Sequence, residues 1–338
     1  MAVYIIAEAG VNHNGDIETA KRLVDIAKNA GCDCVKFQTF SADKIVTKNA
    51  ERAKYQIENT QNADSQYEML KKLELSYNDF FELKTYCDKV KIDFLSTPFD
   101  EDAVDILEKI GVDAYKIPSG EITNKPLLQY IARKNKQVLL STGMSTLEEV
   151  RKDIQWIEEM ENNKIILFHC TSNYPAPYSS VNMKAMLTLK DEFGYPVGYS
   201  DHTRGIEIAL MSVAYGAVVV EKHFTYDRNA EGPDHKASLE PSELKCMVES
   251  IRHIEEAIGS GEKKPSDSEL STREVARKSL VWKNNKIAGD IITREDICCK
   301  RPGTGICPEK IDEIVGRTVA RTCKEDVLIS WKDMIGER

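Results

Sequence analysis

The segment "VGYSDHTRGIEIALMSVAYGAVVVEKHF", from Val197 to Phe224, contains two short apolar runs, and a histidine follows each of them. His202 comes after the first run and His223 after the second, with a helix-like stretch between them. A strand buried on both faces reads as a near-continuous apolar run, and a crossover helix joins it to the next parallel strand. The segment therefore predicts a strand–helix–strand unit with a histidine at the end of each strand.

The same unit recurs throughout the first 260 residues. The eight apolar runs are "VYIIAEAG", "CVKFQTF", "DFLSTPF", "AYKIPSGE", "QVLLSTG", "KIILFHCTS", "PVGYSDH" and "VVVEKHF". Amphipathic segments follow most of them; one ends at Gly31, and another opens with Ser145 and Glu148 in the spacing of a capping box. Eight strand–helix units predict an α/β fold, a parallel (β/α)8 TIM barrel.

The domain organisation follows from length and local composition. A chain of 338 residues fits one large domain and one small one. We expect the barrel over residues 1–260, a Gly-, Ser- and charge-rich linker over 261–274, and a small β-rich domain over 275–338. The long polar stretch 42–75 is predicted to form a loop with short helices over the top of the barrel.

Composition excludes several classes of protein. The net charge of −9 argues against a general affinity for nucleic acid or an anionic membrane. The nine cysteines contain no CxxC pair, which argues against a thiolate zinc site and fits a reducing compartment. No apolar run approaches the length of a membrane span. We therefore expect a cytoplasmic protein that acts on small molecules.

Polar side chains stand at the end of every predicted strand. In a (β/α)8 barrel the chemistry sits at the carboxyl ends of the strands, so these residues are the candidates for a site. They are Glu8, Lys36, Gln38, Ser96, Thr97, Lys116, Ser119, Glu121, Ser141, Thr142, His169, Thr171, Ser172, Ser200, Asp201, His202 and His223.

The two histidines on adjacent strand ends suit a divalent metal. Imidazole pairs bind Mn²⁺, Zn²⁺, Co²⁺ or Fe²⁺, whereas Mg²⁺ prefers oxygen ligands. Glu221 lies two residues before His223, and alternation along a strand places both on one face. Glu221 is therefore a further ligand, a support for His223, or a member of an ion pair inside the barrel.

Two lysines, Lys36 and Lys116, interrupt otherwise apolar strands. One interpretation is a structural ion pair with Glu8 or Glu121, since a buried lysine needs a partner. A second is an anion site completed by nearby hydroxyl groups. A third makes one lysine a Schiff-base nucleophile of a pyruvate aldolase, which the histidine pair disfavours because a metal can polarise a carbonyl instead.

Nine motifs, in family order and almost from end to end, resemble the bacterial sialic acid synthases, which are N-acetylneuraminate synthases and their relatives that make legionaminic acid. The motifs are "AEAGVNHNG", "VKFQTF", "STPFDEDAVD", "YKIPSGE", "LSTGM", "YSDHT", "EKHFT", "GPDHKAS" and "KRPGTGI". The resemblance implies a barrel followed by a domain similar to type III antifreeze proteins (an SAF domain). It also implies a homodimer in which each small domain covers the barrel of the partner.

The activity implied by the resemblance is the condensation of phosphoenolpyruvate with N-acetylmannosamine to give sialic acid and phosphate. The alternative is an N,N'-diacetyllegionaminate synthase that uses 2,4-diacetamido-2,4,6-trideoxymannose. A non-catalytic sugar- or ice-binding protein is a rival suggested by the small second domain, but such a protein has no use for polar groups at eight strand ends.

The resemblance also implies roles for individual residues. His202 and His223 correspond to the ligands of Mn²⁺ or Mg²⁺, and Glu8 or Glu121 to the general base. The phosphoenolpyruvate site corresponds to Lys36, Thr97, Lys116, Ser119, Ser141, Ser172 and Ser200. The sugar site corresponds to Gln38, Glu121, Tyr174, Asp234 and Arg301, with Arg301 reaching across from the partner chain. Some synthases have asparagine where this chain has Ser172.

Overall fold

The computed structural model describes residues 2–53, 56–57 and 64–336 of the chain. The chain divides into two compact units, Met1–Gly259 and Ser260–Arg338. Parts of two predicted segments lie outside the described residues. They are 54–55 and 58–63 in the stretch 42–75, and 337–338 in the small domain.

Eight parallel strands form the barrel of the first unit, and their spatial order follows the chain. They are β1 (Tyr4–Gly10), β2 (Cys34–Thr39), β3 (Asp93–Pro98), β4 (Ala114–Ile117), β5 (Gln137–Ser141), β6 (Ile165–Cys170), β7 (Val197–Asp201) and β8 (Val219–His223). The first strand pairs with both β2 and β8, which places Glu8 beside Lys36 on one side and beside His223 on the other. The predicted (β/α)8 barrel is therefore confirmed.

Helices connect the strands and surround them. They are α1 (Ile17–Ala30), α2 (Ala42–Ile45), α3 (Gln66–Leu73), α4 (Tyr77–Val90), α5 (Glu101–Ile110), α6 (Lys125–Ala132), α7 (Leu147–Glu158), α8 (Lys184–Phe193), α9 (Glu207–Ala214) and α10 (Pro241–Ile258). The first helix ends at Gly31, where φ is 85°. A residue without Cβ adopts that left-handed conformation at little cost, as the sequence predicted.

The capping box of α7 lies one residue later than the sequence suggested. Thr146 is the N-cap, and its hydroxyl accepts from the backbone N–H of Glu149, whose side chain accepts from the backbone of Thr146 in return. The predicted pair, Ser145 and Glu148, has the same spacing, so the motif alone did not fix the first turn. Further along this helix Asp153 is fully buried.

The core of the first unit has two layers. Outward-facing strand residues pack against the helices in one large cluster, which includes Ile5, Val35 and Tyr115. A smaller cluster fills the inside of the barrel near the amino ends of the strands. We call these inward-facing residues the lower layer; they are Ile6, Cys34, Leu95, Leu139, Phe168 and Val219. The lower layer is the floor on which the polar site rests.

The segment between β2 and β3 is attached to the barrel by its apolar residues. Met69 and Leu73 of α3 are buried against Val11 and Phe40, which follow β1 and β2. Ser65 caps α3 through a reciprocal hydrogen-bond pair with Glu68. This attachment holds α3 at the carboxyl end of the barrel, because Val11 and Phe40 both follow carboxyl ends of strands.

The second unit combines one helix with short antiparallel strands. Its elements are α11 (Asp267–Ala276), β9 (Ser279–Trp282), β10 (Ile297–Lys300), β11 (Thr318–Val319) and β12 (Met334–Ile335). Strand β9 pairs with β10, and β11 with β12, around a core that contains Leu280 and Trp282.

Most of the stretch 261–274, predicted to be a linker, is helical and belongs to this unit. No residue of α11 is buried. A helix that packs no face against a core needs no apolar stripe, so its sequence lacks that signal. The helix carries a capping box formed by Ser266 and Glu269, a local signal that composition obscured. Among the helices that the structure describes, none is both long enough and apolar enough to cross a bilayer.

Candidate active site

A cavity of about 470 Å³ opens at the carboxyl ends of the strands. Twelve of the residues predicted from the sequence line it: Glu8, Lys36, Gln38, Thr97, Lys116, Ser119, Ser141, Ser172, Tyr174, Ser200, His202 and His223. Each of the eight strands, or the loop directly after it, contributes at least one of these residues. The geometry of the barrel thus brings distant parts of the sequence into one site.

Two lysines and two glutamates form a buried charge network in the floor of this cavity. Lys36 Nζ lies 2.7 Å from Glu8 Oε2 and 3.7 Å from Glu221 Oε2. Lys116 Nζ lies 2.7 Å from Glu221 Oε2. Glu221 is therefore an ion-pair partner of both lysines, which is one of the three roles that the sequence left open for it. Lys116 pairs with Glu221 across the barrel and not with Glu121.

Neutral groups complete the network. Lys36 donates to Thr97 Oγ1 at 3.1 Å, and Ser200 Oγ donates to Glu221 Oε1 at 2.9 Å. Lys116 also lies over the ring of Phe168, with its ammonium 4.3 Å from the ring centroid. Both ammonium groups are thereby held in place, with hydroxyls beside them, in a site shielded from water.

Burial and the neighbouring charges set the protonation of these groups. Desolvation raises the pKa of Glu8 to about 7, although Lys36 opposes the rise. Desolvation also acts to raise the pKa of Glu221, but Lys116 and Lys36 together hold it far below its usual range. Burial lowers the pKa of Lys116 despite the attraction of Glu221. The site therefore contains one permanently ionised carboxylate and one, Glu8, that can exchange a proton near neutral pH.

The two predicted histidines lie side by side, with ring centroids 5.5 Å apart. His202 Nδ1 donates to the Thr171 carbonyl at 2.8 Å, which leaves Nε2 as the nitrogen with a free lone pair. Ser200 Oγ is 3.4 Å from that nitrogen, but its proton goes to Glu221. Nδ1 of His223 is buried without a hydrogen-bond partner.

These rings fit a divalent cation. Burial lowers the pKa of His202 to about 4 and that of His223 well below its usual range, so both are neutral and able to ligate at pH 7. Within the described part of the chain no group of three or more His, Cys, Asp or Glu side chains could hold a metal. A cation held by this pair would therefore take its other ligands from water or substrate, as in an open catalytic site.

Hydroxyl groups form a narrow cradle around Gly143. The Gly143 N–H donates to Ser119 Oγ at 2.9 Å, and Ser119 Oγ lies 3.2 Å from Cys170 Sγ. A Cβ at position 143 would lie 2.4 Å from Ser172 Oγ and 2.7 Å from Ser119 Oγ, so only glycine fits. The Gly143 amide orients Ser119, and the hydroxyls of Ser119 and Ser172 are donors of the kind that phosphate oxygens accept.

Three residues to which the resemblance gave roles do not line the cavity. Neither do five of the polar residues predicted at strand ends: Ser96, Thr142, His169, Thr171 and Asp201. Glu121 lies in the 3-10 turn after β4, where its carboxylate accepts from Asn124 Nδ2 at 2.6 Å. Asp234 is buried in the loop after β8, and desolvation raises its pKa to about 6. Arg301 lies in the second unit, where its Nε donates to the Ala276 carbonyl at 3.0 Å. Of the two candidate bases, Glu8 is the one in the cavity.

The sequence did not identify several residues of the cavity wall. Cys170 is the last residue of β6, so its position at a strand end was a signal that could have identified it. The segment between β2 and β3 contributes residues that no strand rule could place. The additional residues are Ala53, Gln56, Gln66, Phe99, Pro118, Gly120, Met144 and Cys170.

The chain is similar to known enzymes over nearly its whole length. It is 50% identical to the N,N'-diacetyllegionaminic acid synthase of Legionella pneumophila, across 98% of this chain and 94% of the relative. It is 49% identical to the synthase of the same name from Campylobacter jejuni, across 96% and 98%. The solved structure of N-acetylneuraminic acid synthetase from Leptospira borgpetersenii matches with a TM-score of 0.72 and 36% identity, covering 80% of this chain and 90% of that one.

Family models agree with these similarities. The SAF domain matches residues 278–334, which confirms the predicted nature of the second unit. The NeuB family model matches residues 23–263, which is most of the barrel unit, and the resemblance seen in the motifs is confirmed. The chain is therefore an enzyme of the NeuB family, whose named relatives are synthases of nonulosonic acids.

Proposed function

We propose that the protein condenses phosphoenolpyruvate with 2,4-diacetamido-2,4,6-trideoxymannose to give N,N'-diacetyllegionaminic acid and phosphate. The observation that carries the condensation is the pair of buried lysines beside hydroxyl groups and two neutral histidines in one cavity. The choice of sugar follows the identity of about 50% to two relatives with that name. N-acetylmannosamine is the alternative, favoured by the likeness to the Leptospira enzyme.

The anionic groups of phosphoenolpyruvate would lie against the cationic side of the cavity. Lys36 and Lys116 are fixed by their glutamate partners, and Thr97 and Ser141 line the same wall. The hydroxyls of Ser119, which the Gly143 amide orients, and of Ser172 would provide a second set of donors. Donors that are already in place stabilise developing negative charge without reorganisation, which is where the catalytic advantage arises.

We propose that His202 and His223 hold a divalent cation, Mn²⁺ or Mg²⁺. Such a cation, when bound, would act as a Lewis acid on the aldehyde of the open-chain sugar.

Glu8 is proposed as the group that moves protons. In its protonated form it gives a proton to the aldehyde oxygen as C3 of phosphoenolpyruvate forms the new carbon–carbon bond. The carboxylate then accepts a proton from the water that adds to the cationic C2. The tetrahedral intermediate then breaks its bond from C2 to the bridging oxygen as the C2 hydroxyl becomes the carbonyl. The bridging oxygen leaves with phosphate, which takes up the hydroxyl proton. A carboxyl group with a pKa of about 7 suits both transfers.

We further propose a homodimer in which each SAF domain covers the barrel of the partner, so that Arg301 meets the sugar in trans while Asp234 contributes from the same chain. Mixing the inactive variants Arg301→Ala and Lys116→Met tests this arrangement. If Arg301 acts in trans, mixed dimers contain one intact site, and exchange restores about a quarter of the sites. No recovery after verified exchange contradicts the arrangement. The nine free thiols support a cytoplasmic location.

Phosphate release from phosphoenolpyruvate, measured with each sugar separately, tests the proposed function. We expect turnover that depends on a sugar and is fastest with the diacetamido sugar. With ¹⁸O in the bridging position of phosphoenolpyruvate, the label should leave in phosphate, because the C–O bond breaks. Label retained in the sugar acid would contradict this route, and covalent trapping of the protein by pyruvate and borohydride would favour the aldolase.

A further inference from the structure

We infer, on the basis of the proposed condensation, that the carboxamide of Gln66, supported by Gln56, recognises the acetamido group at C4 of the sugar. These residues would then determine the preference for a diacetamido sugar over one with a hydroxyl group at C4. Both lie in the segment between β2 and β3, to which neither the motifs nor the strand-end rule assigned a role.

Among the described residues, three glutamine side chains line the cavity: Gln38, Gln56 and Gln66. A carboxamide offers one N–H donor group and one carbonyl acceptor, which is the complement of the C=O and N–H of an acetamido group. A sugar with two acetamido groups needs more than one such partner. The set of three neutral carboxamides in the wall therefore matches the chemistry of the substrate better than further charges would.

Gln66 has a carboxamide available for a ligand. Its side chain is half-buried, and it has no hydrogen-bond partner among the described residues. A buried amide on the substrate that meets no partner loses affinity, so an unoccupied carboxamide in the wall is a natural recognition element.

The position of Gln66 is fixed by packing. It is the first residue of α3, and its backbone N–H donates to the Ala50 carbonyl at 3.2 Å. Met69 and Leu73 of the same helix are buried against Val11 and Phe40 at the carboxyl end of the barrel. The side chain is thus presented from a helix attached to the core, which gives the precision that recognition of a small group requires.

Gln56 is oriented by its own segment. Its Oε1 accepts from the backbone N–H of Ala53 at 3.0 Å, which fixes the carbonyl end of the carboxamide. Along the chain, Lys36 and Gln38 lie on β2, whereas Gln56 and Gln66 follow on the segment beyond it. We therefore place the reacting aldehyde carbon near Lys36 and the histidines, and the C4 end of the sugar toward these two glutamines.

Kinetics of Gln66→Leu and Gln66→Met test this inference, with Gln155→Leu as the matched control. Gln155 is an exposed residue of α7 whose Nε2 donates to Glu159, away from the cavity. The sugars are 2,4-diacetamido-2,4,6-trideoxymannose and its analogue with a hydroxyl at C4, 2-acetamido-2,6-dideoxymannose. For both Gln66 variants we expect kcat/KM with the diacetamido sugar to fall roughly tenfold or more. With the analogue it should change by less than about twofold, as should KM for phosphoenolpyruvate.

The outcomes separate this inference from the proposed function. If kcat/KM falls equally with both sugars, or falls with neither, Gln66 does not recognise the C4 group. The inference is then wrong, while the proposed condensation stands. It is also wrong if the unaltered enzyme uses both sugars equally well. If the unaltered enzyme releases no phosphate with either sugar, the proposed function fails instead. Thermal unfolding of all three variants, together with agreement between the Leu and Met replacements, identifies any loss that arises from misfolding.

Discussion

The two ends of the barrel interior are built on the same strands but differ sharply in chemistry. In β2 the inward-facing position is Cys34 in the lower layer and Lys36 two residues later. In β5 it changes from Leu139 to Ser141 over the same interval. Because alternate residues of a strand share a face, inward-facing residues only two positions apart belong to the packed floor and to the polar site above it. The lower layer supports the fold, and the charged residues above it are the ones proposed to carry the chemistry.

The largest effect should come from the group that the histidine pair is proposed to hold. Stripping the protein of divalent cations and assaying it with a chelator should lower turnover at least about a hundredfold. Added Mn²⁺ should restore turnover and raise the unfolding midpoint, because an ion that binds only the folded state stabilises it. Full turnover by a thoroughly stripped sample would remove the metal from the proposal.

Exchanging a lysine at the upper end of the barrel for methionine should give the next largest loss. Lys116→Met removes an ammonium from the proposed anion site, and we expect kcat/KM for phosphoenolpyruvate to fall about 10²–10³-fold. The variant should also lose stability, because Glu221 then keeps only the longer contact with Lys36.

The matched control is Lys136→Met, at the amino end of the neighbouring strand. Lys136 pairs with Glu108 in a half-buried position, so its replacement should leave activity within about twofold. Denaturant unfolding and steady-state kinetics measure both effects. Equal loss of activity in the two variants would contradict the division between the two ends of the barrel.

Much of the division between the lower layer and the polar site could be predicted from the sequence, because strand alternation alone places Lys36, Lys116 and His223 on the inner face. The partner of Lys116 could not be predicted. Glu121 is five residues away, whereas Glu221 is 105 residues away and becomes a neighbour only when the barrel closes. Local patterns report which face a residue occupies, but they carry no information about which strands lie opposite each other.

Segments without hydrophobic periodicity also could not be predicted from the sequence. The stretch between β2 and β3 follows no strand rule, so the place of Gln66 in the cavity depends on tertiary packing of α3. In the second unit, α11 has no buried face, so its composition predicts a linker, although the spacing of Ser266 and Glu269 marks the start of a helix. Amphipathic patterns identify elements that pack, and exposed helices escape them.

A large-to-small change in the lower layer should reduce stability but, unlike Lys116→Met, leave activity nearly unchanged. Leu139→Ala removes a buried side chain from the floor, and we expect a loss of about 3 kcal/mol in the free energy of unfolding. Activity at a temperature where the variant remains folded should stay within about threefold, since Leu139 does not line the proposed active-site cavity. Urea unfolding and kinetics on the same sample measure both quantities. A hundredfold loss of activity in a folded variant would show that the floor takes part in the chemistry.

The smallest effect concerns Asp153, a buried carboxyl that lacks the cationic partners of Glu221. It is 0% exposed, and neither carboxylate oxygen has a hydrogen-bond partner. Burial, together with Glu149, raises its pKa to about 8, against about 3.9 in an unfolded chain. Between these values the folded state binds a proton that the unfolded state has lost, so the free energy of unfolding must fall as pH rises.

Asp153→Asn removes this dependence, because an amide of the same shape does not ionise. Relative to the unaltered protein, the variant should gain on the order of 2 kcal/mol of unfolding free energy between pH 5 and pH 9. The exposed Asp105→Asn is the control: Lys134 and Tyr130 lower the pKa of that carboxyl, so its replacement should cause at most a small change of opposite sign. Parallel stability curves for the unaltered protein and Asp153→Asn would mean that this carboxyl finds a partner in solution, and the contrast with Glu221 would then disappear.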